Sequence, residues 1–302
     1  MFELRGSIVP LVTPLTHQRE VDYPALEKLL AWHNDASTQG LIILGSTGEG
    51  NLLTEEERAE VIDFVINASN HTMPVWVGVN DTNPDRVLKL IHQAADLGAE
   101  GVMVPSPMYV KPSQAGIISY FTHLADASPI GLMMYNVPSR TGSTIDIETA
   151  CILSHHEQII GIKDCQISVD GMAQYQNAAH HFEVYCGNDR DMLVCLENGG
   201  AGVISVIGNL LPELVRALYE LSVLGVHHKS AALDSRWQQL IGALERMSNP
   251  AAIKWAMSER GIISPYTRLP LSPLNFEEEA VMTEALEDLA PLWTFNPDYD
   301  VS

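Results

Sequence analysis

The sequence predicts a (β/α)8 TIM barrel, an α/β fold, followed by a C-terminal helical extension, and three observations carry that prediction. Eight short, nearly continuous apolar runs recur along the first three quarters of the chain. Each leads into a loop rich in Gly, Pro, Ser or Thr and then into an amphipathic stretch. From His227 onward the apolar runs stop and only helical patterning continues. Runs without polar alternation suit strands buried on both faces, and eight strand and helix units in about 225 residues match the usual size of such a barrel. A doubly wound open sheet is the competing arrangement, but no GxGxxG follows the first run.

In order, the predicted strands are Ser7 to Val12, Leu41 to Leu44, Val75 to Val79, Gly101 to Val104, Ile130 to Tyr135, Ile159 to Lys163, Phe182 to Cys186 and Ala201 to Val206. Helix starts between them are marked locally. Thr54 with Glu57 reads as a capping box, with acids in the first turn. Asn83-Pro84 opens a helix over Asp85 to Leu97, and Gly98 closes it. Beyond the barrel, Ser230 to Met247, Ala251 to Arg260 and Phe276 to Leu289 read as helices. The expected division is therefore a catalytic barrel over residues 1–226 and a helical part over 227–302.

Composition narrows the function. Of 302 residues, 38 are acidic and 17 basic, a net charge of −21, which repels nucleic acid and anionic membrane surfaces. No apolar run approaches the roughly 18 residues of a membrane helix. The start, Met1 to Pro10, has an acid at position 3 and a proline at 10, unlike a signal peptide, so a cytoplasmic protein is expected. Four cysteines, none in a CxxC pair, read as free thiols. Adjacent histidine pairs point apart on a helix and no HExxH occurs; no metal is expected, with Asp189 and Asp191 the remaining candidates for one. The stretch Asn275 to Ser302 holds eight acids and no base and reads as a solvated face and tail.

In a barrel, reactive groups lie at the C-terminal ends of strands and in the loops that follow. After the second strand, Gly45-Ser-Thr-Gly-Glu-Gly50 offers hydroxyls and amides to an anion but lacks the lysine of a phosphate loop, which favours a carboxylate; a Gly-rich turn also needs no ligand at all. After the fourth, prolines stiffen Pro105 to Pro112 around Tyr109. After the fifth, Tyr135 sets a phenol at the barrel mouth and Arg140 follows on a Pro-set turn, suited to gripping a carboxylate. Among six lysines, Lys28 and Lys89 fall in amphipathic helices, Lys111 in the Pro-rich loop, and Lys229 and Lys254 in the extension. Only Lys163 ends a buried apolar strand. Desolvation there drives a lysine toward the free amine that attacks carbonyls, and Schiff-base chemistry needs such an amine. Pairing with Asp164 is the alternative.

Taken together, GSTGEG, YNVPSRTG, GIKD, GGAGVIS and RLPLSP, in this order and at these distances, resemble the dihydrodipicolinate synthase and N-acetylneuraminate lyase family over essentially the whole chain. The resemblance implies that Lys163 forms a Schiff base with pyruvate. It implies that Tyr135 passes protons in a relay with Thr47 and with Tyr109, the latter reaching in from a neighbouring subunit. Ser46 and Thr47 would hold the pyruvate carboxylate and Arg140 the carboxylate of aspartate semialdehyde, while Gly187 and the Ile204 carbonyl line the pocket. No cofactor is implied, because the protonated imine is itself the electron sink.

Arg140 favours the synthase branch, which condenses pyruvate with aspartate semialdehyde to 4-hydroxy-tetrahydrodipicolinate at the entry to lysine and diaminopimelate biosynthesis. A lyase of 2-keto sugar acids such as N-acetylneuraminate is the alternative, and a non-catalytic keto-acid sensor a remoter one. The family is usually a homotetramer built as a dimer of dimers. Its lysine-inhibited members carry an allosteric site whose positions here hold Gly50, Asn51, Glu55, Arg58, Thr82, Arg86 and Met108, so weak or absent lysine feedback is expected.

Overall fold

The eight apolar runs form eight parallel strands: β1 (Gly6–Pro10), β2 (Gly40–Ile43), β3 (Val75–Gly78), β4 (Gly101–Pro105), β5 (Gly131–Asn136), β6 (Ile159–Asp164), β7 (Glu183–Cys186) and β8 (Gly202–Ile204). They close in sequence order, with β8 pairing back onto β1. The chain is described from a computed structural model, which covers residues 4–69, 72–289 and 292. Part of the acidic C-terminal stretch (290, 291 and 293–302) and the first three residues lie outside the described residues.

Helices α1 (Tyr23–Asp35), α2 (Glu55–Ser69), α3 (Pro84–Asp96), α4 (Gln114–Ala127), α5 (Pro138–Thr141), α6 (Ile147–Leu153), α7 (Val169–Tyr175), α8 (Met192–Glu197) and α9 (Pro212–Val223) alternate with the strands. Their starts follow the local signals. Glu57 N–H donates to Thr54 Oγ1 at 3.2 Å while Thr54 N–H donates to Glu57 Oε2 at 2.9 Å, a reciprocal capping box on α2. Asn83 Oδ1 accepts from Asp85 N–H at 2.9 Å ahead of Pro84.

Two apolar cores result. Outward-facing strand residues and helix faces form the larger one, while Ile8, Ile42, Trp76, Met103, Met133, Tyr135, Tyr185 and Ile204 fill the barrel interior. Tyr185 O–H donates to the Leu4 carbonyl at 2.7 Å, satisfying the phenol inside the barrel.

The extension continues as α10 (His227–Ser235), α11 (Gln238–Leu244), α12 (Ala251–Glu259) and α13 (Phe276–Asp288). The single helix expected over Ser230 to Met247 is in fact two. Trp237 leaves helical geometry, with φ −114° and ψ 7°, and is fully buried. Sinking its large ring into the core breaks a helix whose periodicity alone would have continued. Among the described residues no helix is long and apolar enough to cross a membrane.

Candidate active site

Strand register sets the centre of the site. Tyr135 on β5 pairs with Lys163 on β6, which pairs with Tyr185 on β7. All three side chains share the inner face, because alternate residues of a strand point to opposite sides. Asp164 therefore points outward, into the helix layer. There it accepts from Asn136 Nδ2 at 2.9 Å, Tyr175 O–H at 2.8 Å and Gln166 N–H at 2.9 Å. Its pairing with Lys163 is thereby ruled out.

Lys163 is 4% exposed and, among the described residues, has no ion-pair partner; its Nζ sits 4.5 Å from the centroid of the Tyr135 ring. Burial pushes its pKa below the ordinary lysine value, only partly offset by nearby acidic groups, among them the Asp189 carboxylate. The same burial pushes the Tyr135 phenol well above its usual range, and the Ser46 hydroxyl and Cys165 thiol are its hydrogen-bond partners. Cys165 Sγ in turn donates to the Gly187 carbonyl at 3.3 Å. Gly187 must lack a side chain: a Cβ there would lie 3.0 Å from Lys163 Cγ and 2.7 Å from Cys165 Sγ.

The Gly-rich turn comes up beside this centre. Gly50 N–H donates to the Gly45 carbonyl at 3.2 Å, and Thr13 Oγ1 donates to the Gly48 carbonyl at 2.6 Å. Ser46 faces Tyr135. Thr47 is buried, and its Oγ1 accepts from Asn249 Nδ2 at 3.0 Å. The Tyr135 phenol is thus coupled to the Ser46 hydroxyl, and the Thr47 hydroxyl to Asn249.

An open cavity of about 440 Å3 lies above, lined by Ser46, Tyr135 and Arg140 together with Asn80, Met108 and Pro270. Arg140 stands exposed on α5, its turn started by Pro138. A smaller cavity of about 140 Å3 is lined by Gly187 and Asp189, and Asn249 borders both. Ile204 ends β8, and the turn after it is held by Asp189, which accepts from Val206 N–H at 3.1 Å and Ile207 N–H at 3.0 Å. Burial raises the Asp189 pKa to about 6, although Ser205, these amides and Lys163 all lower it. Tyr109 does not join the cluster. It is 91% exposed at φ 71° and is not among the residues lining this cavity.

Sequence reasoning overlooked two residues. Lys254, placed by the sequence only within the helical extension, is fully buried and paired with the equally buried Glu49 of the Gly-rich turn. Asn249 was not singled out, although its Asn-Pro step is a local turn signal.

A sequence profile described as the Dihydrodipicolinate synthetase family matches residues 3–289. A 4-hydroxy-tetrahydrodipicolinate synthase of Coxiella burnetii (strain RSA 493) is 34% identical over 284 residues, 94% of this chain and 98% of the relative. One from Methanosphaerula palustris is 35% identical over 290 residues, covering 95% and 99%. Among solved structures, the chloride-inhibited dihydrodipicolinate synthase of Acinetobacter baumannii complexed with pyruvate superposes with a TM-score of 0.92 at 33% identity, covering 95% of this chain and 99% of that one. The Cyanidioschyzon merolae enzyme with lysine bound superposes at 0.90 with 29% identity, covering 94% and 98%. An inner-face lysine beside a strand-end tyrosine, in a barrel this similar throughout its length, has one consistent explanation: the chain belongs to the dihydrodipicolinate synthetase family.

Proposed function

We infer that this chain is a class I aldolase-type lyase that condenses pyruvate with aspartate semialdehyde to 4-hydroxy-tetrahydrodipicolinate, the entry step of lysine and diaminopimelate biosynthesis. The observation that carries the reading is the buried Lys163 amine, with no ion-pair partner among the described residues, beside the Tyr135 ring, which lines the same cavity as Arg140.

The Lys163 amine adds to the C2 carbonyl of pyruvate, and loss of water leaves a protonated imine. Loss of a C3 proton gives the enamine, whose C3 forms a bond to the aldehyde carbon while the aldehyde oxygen takes up a proton. The amino group of the former semialdehyde then adds to the imine carbon, closes the ring and expels the Lys163 amine. Tyr135 carries these protons, with the Ser46 hydroxyl beside it as the next relay member. Thr47 and Ser46 receive the pyruvate carboxylate, and Arg140 receives the carboxylate of the aldehyde. Asp189 supplies a negative charge to the imine and holds the turn that carries the Ile204 carbonyl, and Gly187 leaves room for the lysine stem.

Tyr109 acts from a second copy of the chain, a role supported by its outward, exposed position. The active form is thus at least a homodimer, within a dimer of dimers. The catalytic barrel is assigned to residues 1–226 and the helical part to 227–302, of which Asn249 and Lys254 reach the Gly-rich turn of the barrel.

The test is a coupled assay with both substrates, alongside borohydride reduction with pyruvate alone. Arg140→Ala is expected to cripple condensation while pyruvate labelling of Lys163 persists. Undiminished condensation by that variant, or turnover of N-acetylneuraminate in place of aspartate semialdehyde, defeats the assignment.

A further inference from the structure

Two side chains of the helical extension reach into the Gly-rich turn of the barrel, and neither takes part in the chemistry derived above. Asn249, just ahead of α12, donates from Nδ2 to Thr47 Oγ1 at 3.0 Å. Its Oδ1 is buried with no partner among the described residues, so Thr47 is the one side chain this amide serves. Lys254 on α12 pairs with Glu49 and also donates to the Tyr266 carbonyl at 2.9 Å, while the second Glu49 oxygen accepts from Arg268 N–H at 2.8 Å. Glu49 sits at φ 54°, a conformation that a non-glycine residue keeps only when held.

The direction of the first bond matters. A hydroxyl has one proton and two lone pairs. When its oxygen receives an N–H, its own proton stays free for another acceptor. Asn249 therefore takes up one lone pair of the Thr47 hydroxyl and leaves its proton free to donate. An anion is what such a donor suits, and the Thr47 main chain carries it in the turn bordering the cavity.

We propose that Asn249 is a positioning residue of the keto-acid site: it orients the Thr47 hydroxyl so that its proton faces the substrate carboxylate, while the Lys254 and Glu49 pair holds the turn at the height this bond requires. The proposal rests on the reading of Thr47 as a ligand of the pyruvate carboxylate. Under it, the helical extension is part of the first half-reaction even though it contributes no reacting atom.

The experiment measures the pyruvate concentration that gives half-maximal borohydride trapping on the full-length chain, without the second substrate. Asn249→Ala removes the donor and is expected to raise that concentration about tenfold, the equivalent of one hydrogen bond, with trapping still complete at saturating pyruvate. Asn249→Asp keeps the shape but reverses the bond. Its carboxylate accepts the Thr47 proton and sets a like charge beside the ligand, so the increase is expected to exceed that of Asn249→Ala. In a Thr47→Val chain, Asn249→Ala is expected to change nothing further. Half-saturation within twofold of the parent for both Asn249 variants, an Asn249→Asp effect no larger than that of Asn249→Ala, or an undiminished Asn249→Ala effect in the Thr47→Val chain overturns the proposal. Should Asn249→Asp not fold, the Asn249→Ala comparison in the two Thr47 backgrounds decides alone. Failure of the parent chain to be trapped by pyruvate overturns the functional reading instead.

Discussion

Lys163 Nζ stands 4.5 Å from the centroid of the Tyr135 ring, the two residues being direct neighbours across the β5 and β6 pair. Burial acts on them in opposite senses: it favours the neutral amine of the lysine and the neutral, protonated form of the phenol. Burial thus eases Lys163 toward its free-amine form while it keeps the proton on the phenol beside it.

Lys163→Ala removes the only amine at this place. Borohydride and pyruvate are expected to label the parent chain at Lys163, read by peptide mass spectrometry, and to leave the variant unlabelled, with condensation reduced by roughly 10³-fold or more. Equal labelling of the variant would place the Schiff base elsewhere.

Ser46 and Thr47 separate two roles because one hydroxyl faces Tyr135 and the other faces Asn249. Ser46→Ala is expected to lower kcat by about 10²-fold, as loss of a proton-transfer partner does, with a smaller change in the pyruvate KM. Thr47→Val is expected to act mainly on the pyruvate KM. The reverse pattern in steady-state kinetics refutes the separation.

Asp189 raises the Lys163 pKa by its charge, against the larger effect of burial. Removing that charge in Asp189→Asn lowers the lysine pKa further. The acid limb of pyruvate adduct formation, followed by quenched mass spectrometry, is therefore expected to shift to lower pH. Stability carries a second sign. The Asp189 pKa is raised to about 6, so its contribution is full at acid pH and is lost as pH rises through about 6. The Tm of Asp189→Asn relative to the parent is thus expected to improve from about pH 4 to pH 6.

Glu49 and Lys254 form a buried pair, and removing one partner strands the other. Lys254→Met is expected to cost about 3–5 kcal/mol in denaturant unfolding, and the double variant with Glu49→Gln to recover a large part of it. Strict additivity of the two changes would show that the pair is not coupled.

Free lysine is expected not to inhibit at submillimolar concentration in the coupled assay. Arg58 is buried, donating to the Gly50 carbonyl at 2.7 Å and the Gly78 carbonyl at 3.0 Å, so a cation already occupies this region. A Cβ at Gly50 would also collide with Leu44 O at 2.0 Å, which leaves no room for a longer residue in this turn. Half-inhibition below the millimolar range contradicts this.

Local pattern carried the architecture. A buried parallel strand has to be apolar on both faces, so eight runs could be read without knowledge of their partners, and each turned out to lie within a residue or two of its strand. A cap acts within one helical turn, so Thr54 with Glu57 and Asn83 with Pro84 were legible for the same reason. Lys163 and Tyr135 were legible because a polar residue at the end of such a strand contradicts its surroundings, and Arg140 because it follows on a Pro-set turn after one.

What the sequence could not determine is which distant groups meet. Glu49 and Lys254 are 205 residues apart and Thr47 and Asn249 are 202, and neither pair leaves a periodic trace in the chain. Lys254 could be placed in a helix but not paired, because periodicity ranks faces without saying what will cover them. Trp237 broke its helix because the core accepted its ring. The sequence by itself thus determined the barrel and the lysine at its centre, through interactions that act within a few residues. Only the tertiary structure decided which side chains of the extension meet the Gly-rich turn, because those contacts depend on long-range packing of the extension against the barrel.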